Sequence, residues 1–138
     1  MKYKIENISE KQLNVIMEAL DLHSRLLCGQ LSEIENFLRF NYNKHNLLNH
    51  TKIHDAIYDI KEEFFPELRL GASHSIRSQE TPPKAQIGYD IIQVARHIRA
   101  WSKNPEGGFQ VDYQTPWKCG QEEFVEITTE GKQDETLG

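Results

Sequence analysis

The residues predict a mainly α protein with a small antiparallel β element: a bundle of three to four helices followed by a C-terminal hairpin. Three observations carry this expectation. Apolar residues recur at steps of three and four through most of the first hundred positions, which is the helical period. Gly29, Pro66, the Thr81-Pro82-Pro83 run and the Asn104-Pro105-Glu106-Gly107-Gly108 run divide that periodic stretch into segments of helix length. Beyond them, Phe109, Val111 and Tyr113 alternate with Gln110 and Asp112 in the two-residue period of a strand, and Phe124, Val125 and Ile127 offer a second strand.

Taken in order, residues 2–6 alternate and suit a short edge strand. Ser9 opens the first helix, because Ser at the cap and Gln12 three residues later form a capping-box pair. Leu13, Ile16, Met17, Leu20 and Leu27 give its apolar stripe, and Gly29 interrupts it. The pattern resumes at Leu31, Ile34, Phe37 and Leu38. Residues 41–49 are rich in Asn, which favours turns, and Asn49 or Thr51 is placed to cap a further helix. That helix carries Ile53, Ile57, Ile60 and Phe64, with Pro66 past its end. Residues 72–81 form a polar loop. The prolines after Thr81 suit the first turn of a helix over residues 84–101, where a missing N–H costs nothing.

The 138 residues fit one globular domain over 1–128 with a polar tail over 129–138. With 21 acidic and 16 basic residues the net charge is −5, which argues against general nucleic-acid binding, where a basic surplus supplies most of the affinity. No apolar run reaches the roughly eighteen residues of a membrane span, and the first residues show no signal core. Cys28 and Cys119 are too far apart in sequence for a metal pair, and both are expected to be reduced thiols.

The last long helix has two faces. On a 100° wheel Ile87, Ile91, Val94, Ile98 and Trp101 share one direction and are expected to face the core. Tyr89, Gln93, Arg96 and Ala100 cluster opposite, flanked by Gln86 and His97. An ordinary solvated face would show Lys, Glu and Asp. A ring, an amide, a guanidinium and an imidazole instead stack and hydrogen-bond with direction. Upstream, Ser73, His74, Ser75 and Arg77 add hydroxyls, an imidazole and a second guanidinium, the equipment of an anion site. The expected ligand residues are therefore Ser73, His74, Ser75, Arg77, Tyr89, Gln93, Arg96 and His97. The bland alternative is an exposed helix face behind a common polar loop.

Tyr89, Gln93-Val94, Arg96-His97, Ala100-Trp101, the Pro-Glu-Gly-Gly turn and Val111-Asp112-Tyr113 with Pro116 make up a longer pattern. It resembles a family of small bacteriophage-encoded proteins of unassigned function. The likeness is best over residues 68–116, and Leu22, Ser24-Arg25 and Gly29-Gln30 extend it. Many members have an aromatic residue where this chain has His23. The resemblance implies a phage accessory protein acting in the host bacterial cytoplasm.

Catalytic constellations are sparse. His54-Asp55, with His23 and Asp90, could form the metal set of an HD-type phosphohydrolase. His50 and His54 have the spacing of a zinc-protease motif, but Thr51 stands where its Glu is required. There is no phosphate loop, nucleophile elbow or CxxC pair. The expectation is a non-enzymatic binder without cofactor or metal. It would capture a small anionic, nucleotide-type ligand, a signal of host anti-phage defence. The alternatives are a protein-interaction module inhibiting a host protein and the HD-type phosphohydrolase. The directional face and the polar tail ask for partners, so a homo-oligomer is expected.

Overall fold

A computed structural model describes residues 1–44 and 50–130, and the fold follows from where its helices can begin and stop. Ser9 accepts the Gln12 N–H at 3.1 Å while the Gln12 side chain accepts the Ser9 N–H at 2.8 Å. This capping box starts α1, Glu10–Leu27. Gly29, at φ 91°, ends it: the Gly29 N–H reaches Leu26 O and the Gln30 N–H reaches Arg25 O, the paired bonds of a Schellman cap. A side chain here would also meet Leu68 Cδ1 at 2.7 Å, so the turn needs glycine on two counts. The chain re-enters α2, Ser32–Asn41, and then α3, His50–Phe64. Thr51 lies inside α3 rather than capping it, and Asn49 falls outside the described residues.

Lys61, only 3% exposed on α3, donates to the carbonyls of Leu70 and Ala72. It thereby ties down the turn that leaves the helix, and burial holds its pKa below the ordinary lysine value. Thr81 then donates to Ser75 O at 2.7 Å instead of capping, and α4, Pro83–Lys103, starts on its prolines.

α1 and α4 form the antiparallel spine. Ser24, near the end of α1, donates to Ala85 O at the start of α4, and Arg99 reaches Asn14 across the other end. α2 packs on α1, and α3 on α2. The deepest side of α4 is Ala85, Gly88, Ile92 and Ala95, not the row from Ile87 to Ile98. That side lies roughly 120° round the helix from the expected stripe. The reason is steric. Small residues let the two backbones approach closely, and a Cβ at Gly88 would stand 3.4 Å from Ser24 Oγ and 3.6 Å from Leu20 Cδ2. The larger residues are half-buried at the flank, and Trp101 is 40% exposed.

Those distances allow one methyl group. Gly88→Ala is expected to stabilise the protein by up to about 1 kcal/mol, the helix-propensity difference. Gly88→Leu should destabilise it by separating α1 from α4. Thermal melts of both variants check this, and a lower melting temperature for Gly88→Ala would contradict the geometry.

The expected β element is not formed. Among the described residues there is no strand and no hairpin. Residues 2–6 are an exposed arm without regular structure, residues 111–113 form a 3-10 turn, and residues 124–127 have no regular structure either. A strand needs a second backbone to pair with. Here side chains of α4 take the main-chain groups of the C-terminal segment, as described next. The expected tail lies outside the described residues from 131 onward.

Candidate ligand-binding site

One row on α4 is spent on main-chain groups of other segments. Gln86, Asp90, Gln93, His97 and Trp101 follow at steps of four, three, four and four, so they form one stripe. Gln86 donates to Ile76 O at 2.9 Å. Asp90, 5% exposed, accepts the Cys119 and Gly120 N–H groups, both at 2.8 Å, and the Gln93 amide at 3.1 Å. The Gln93 amide also pairs with Trp117 in both directions: its Nε2 donates to Trp117 O and its Oε1 accepts the Trp117 N–H, each at 2.8 Å. His97 Nδ1 donates to Asp112 O at 3.0 Å, and the Trp101 indole donates to Tyr113 O at 3.1 Å. The helix thus does for main-chain groups of residues 112–120 what a neighbouring strand would do, and it holds them as a strap.

The strap presents an aromatic ring. Trp117 is 74% exposed, and the Arg77 guanidinium of the polar loop lies over it, 4.5 Å from the ring centre. On α4 itself the Arg96 guanidinium lies over the Tyr89 ring at 5.6 Å, with Asp112, at the start of the strap, 3.9 Å from its Nε. Arg77 is exposed, and the Arg96 side chain keeps 30% of its surface. A guanidinium resting on a ring keeps its N–H edges open for an anion while the ring limits its rotamers.

The eight expected ligand residues separate into groups. Arg77, Tyr89 and Arg96 form the two cation–ring pairs. Gln93 and His97 stand beside them but are engaged by the strap. Ser75 braces the loop, its Oγ accepting the Arg77 N–H at 3.2 Å. Ser73 and His74 turn the other way: Ser73 Oγ accepts from Gln30 at 3.4 Å, and His74 contacts Glu67 at 3.0 Å and Cys28 O through its N–H. Sequence reasoning missed Trp117 and the role of Asp90. The step from Gln86 to Asp90, Gln93 and His97 would have revealed Asp90. Trp117 stands in a polar stretch with no periodicity to mark it.

No assembled catalytic group is evident in the described residues. No three His, Cys, Asp or Glu side chains there are placed to hold a metal, and the Asp90 carboxylate already receives two backbone N–H groups. His50 and His54 stack on α3, with ring centres 6.4 Å apart. Burial raises the pKa of both thiols, opposed at Cys28 by the Thr81 hydroxyl and at Cys119 by the Arg77 charge, which disfavours the reactive thiolate. The arrangement offers directional binding of an anion next to an exposed ring. No protein-family model matches the chain, and no curated protein or solved structure does, so the reading of this site rests on its own chemistry.

Proposed function

We propose that this chain is a phage accessory binding protein that captures a small anionic, nucleotide-type ligand and so sequesters a signal of host anti-phage defence. The observation that carries the ligand class is the pair of guanidinium–ring contacts, Arg77 over Trp117 of the strap and Arg96 over Tyr89 of α4. Guanidinium edges recognise phosphate, and an exposed indole stacks on a base. The phage origin and the defence role rest on the sequence resemblance over residues 68–116. The described residues contain no helix long and apolar enough to cross a membrane.

A second reading, a module that inhibits a host protein, draws on the exposure of Trp117 and Phe109, since exposed aromatic residues beside Arg favour protein interfaces. Calorimetry separates the two. Titrating the protein with inorganic pyrophosphate and with linear and cyclic nucleotides should show saturable binding of at least one nucleotide, tighter than pyrophosphate because a base also stacks. Binding of pyrophosphate and every nucleotide with equal weakness would remove the nucleotide reading. Mass spectrometry of small molecules released from protein exposed to infected-cell extract then identifies the natural ligand.

A further inference from the structure

We infer that the chain pairs with a second copy of itself by seating the exposed arm of residues 1–8 in the groove between α1 and α2 of its partner. The inference does not depend on the ligand site on α4.

The arm has no adequate place on its own subunit. All eight residues are exposed, Tyr3 at 86% and Ile5 at 76%. Its ion pairs are Lys2 with Glu123 at 4.0 Å, between side chains 94% and 89% exposed, and Lys4 with its near neighbour Glu6 at 3.9 Å. Pairs this exposed hold little in water. Drawn out along the groove, the arm puts alternate residues on opposite sides. Lys2 and Lys4 then form a basic edge, and Tyr3 and Ile5 an apolar one.

The groove has the complementary pattern. It encloses about 370 Å³, and Leu22, Phe37 and Phe40 supply its apolar lining. Phe40 is 76% exposed, with no segment of its own subunit covering it in the described residues. Glu18, Asp21 and Glu33 stand on the rim. Arg25 contacts Asp21 at 2.9 Å and Glu33 at 3.7 Å, so one cation faces three carboxylates. Among the described residues two of these negative charges have no cation, Glu18 accepting only the Asn41 amide at 3.1 Å, and the arm brings two ammonium groups. Residues 1–6, which precede the bend at Asn7 (φ 59°), reach about 20 Å when drawn out, enough to cross to a neighbouring subunit. A two-fold exchange makes each contact twice, which suits a short arm.

A charge-swap experiment on the full chain tests this by light scattering across micromolar concentrations. The natural chain should associate, with a molar mass rising towards the dimer. Lys2→Glu with Lys4→Glu reverses the arm, and Glu18→Lys with Glu33→Lys reverses the groove. Each variant alone should dissociate at least tenfold more readily. An equimolar mixture should associate again, because each reversed arm then meets a groove of opposite charge. Circular dichroism verifies folding, and the arm variant touches no part of its own subunit's core. A monomeric natural chain would overturn the inference, as would a dimer indifferent to both reversals or a mixture that stays dissociated.

Discussion

Arg96→Ala is expected to lower the affinity for a nucleotide ligand by roughly tenfold to a hundredfold while leaving the protein folded. A charge-assisted contact of a guanidinium to phosphate contributes about 1.5–3 kcal/mol, and each 1.4 kcal/mol is a factor of ten. Folding should survive because among the described residues Arg96 contributes a contact to Asp112 at 3.9 Å and a ring contact to Tyr89, both at partly exposed side chains. Arg96→Lys should recover only part of the affinity, since an ammonium lacks the planar fork. Asp112→Asn gives the opposite sign. It removes the carboxylate that competes with the ligand for Arg96, so binding should tighten, most visibly at low salt. Tyr89→Phe should be tolerated and Tyr89→Ala should not, if the ring serves to hold Arg96. Arg77→Ala should weaken binding by a similar factor, because Arg77 supplies the second cation over Trp117. Should Arg96→Ala bind normally, the site lies elsewhere; should it melt far below the natural chain, Arg96 is a structural group.

Local signals in the sequence were legible where one residue decides the backbone. The Ser9–Gln12 box, the Gly29 stop and the proline start of α4 all stand as the residue types require. The face of α4 that meets α1 was not legible, and the expected core row is no more buried than the face opposite it. Periodicity ranks residues by apolarity, whereas the close approach of α1 selects the small residues Ala85, Gly88 and Ala95. The C-terminal hairpin failed for a related reason. Alternation at Phe109, Val111 and Tyr113 says that two sides differ, not that a backbone partner exists. In the folded chain the partner is a row of side chains, and Phe109 is fully exposed. Pairing of a helix side chain with a distant main chain, as Gln93 does with Trp117, leaves no mark in local spacing.

The strap makes Asp90 the residue whose loss should cost most. Asp90→Ala removes the acceptor of two backbone N–H groups, at Cys119 and Gly120, and of the Gln93 amide. The strap lies close on α4 here: a Cβ at Gly120 would stand 3.3 Å from the helix backbone at Gln86 and Ile87. Donors left in such a place without a partner cost about 1–3 kcal/mol each, more than the segment recovers by staying down. The strap should therefore lift, exposing those amides to water. Hydrogen exchange at Trp117, Cys119 and Gly120 should accelerate together, while the amides of α1 and the first half of α4 keep most of their protection. The melting temperature should fall by roughly 10 °C, in keeping with about 2–3 kcal/mol in a domain of this size. Asp90→Asn should lie between, since its amide keeps one oxygen acceptor but turns an NH2 toward the second donor. Gln93→Ala frees the same segment, so the double variant should cost clearly less than the sum of the two single changes. Ligand affinity should fall in Asp90→Ala as well, although Asp90 is already occupied by the strap, because Trp117 would no longer be held under Arg77. Unchanged exchange at Cys119 and Gly120 in Asp90→Ala would show that the strap is fastened by something other than this carboxylate.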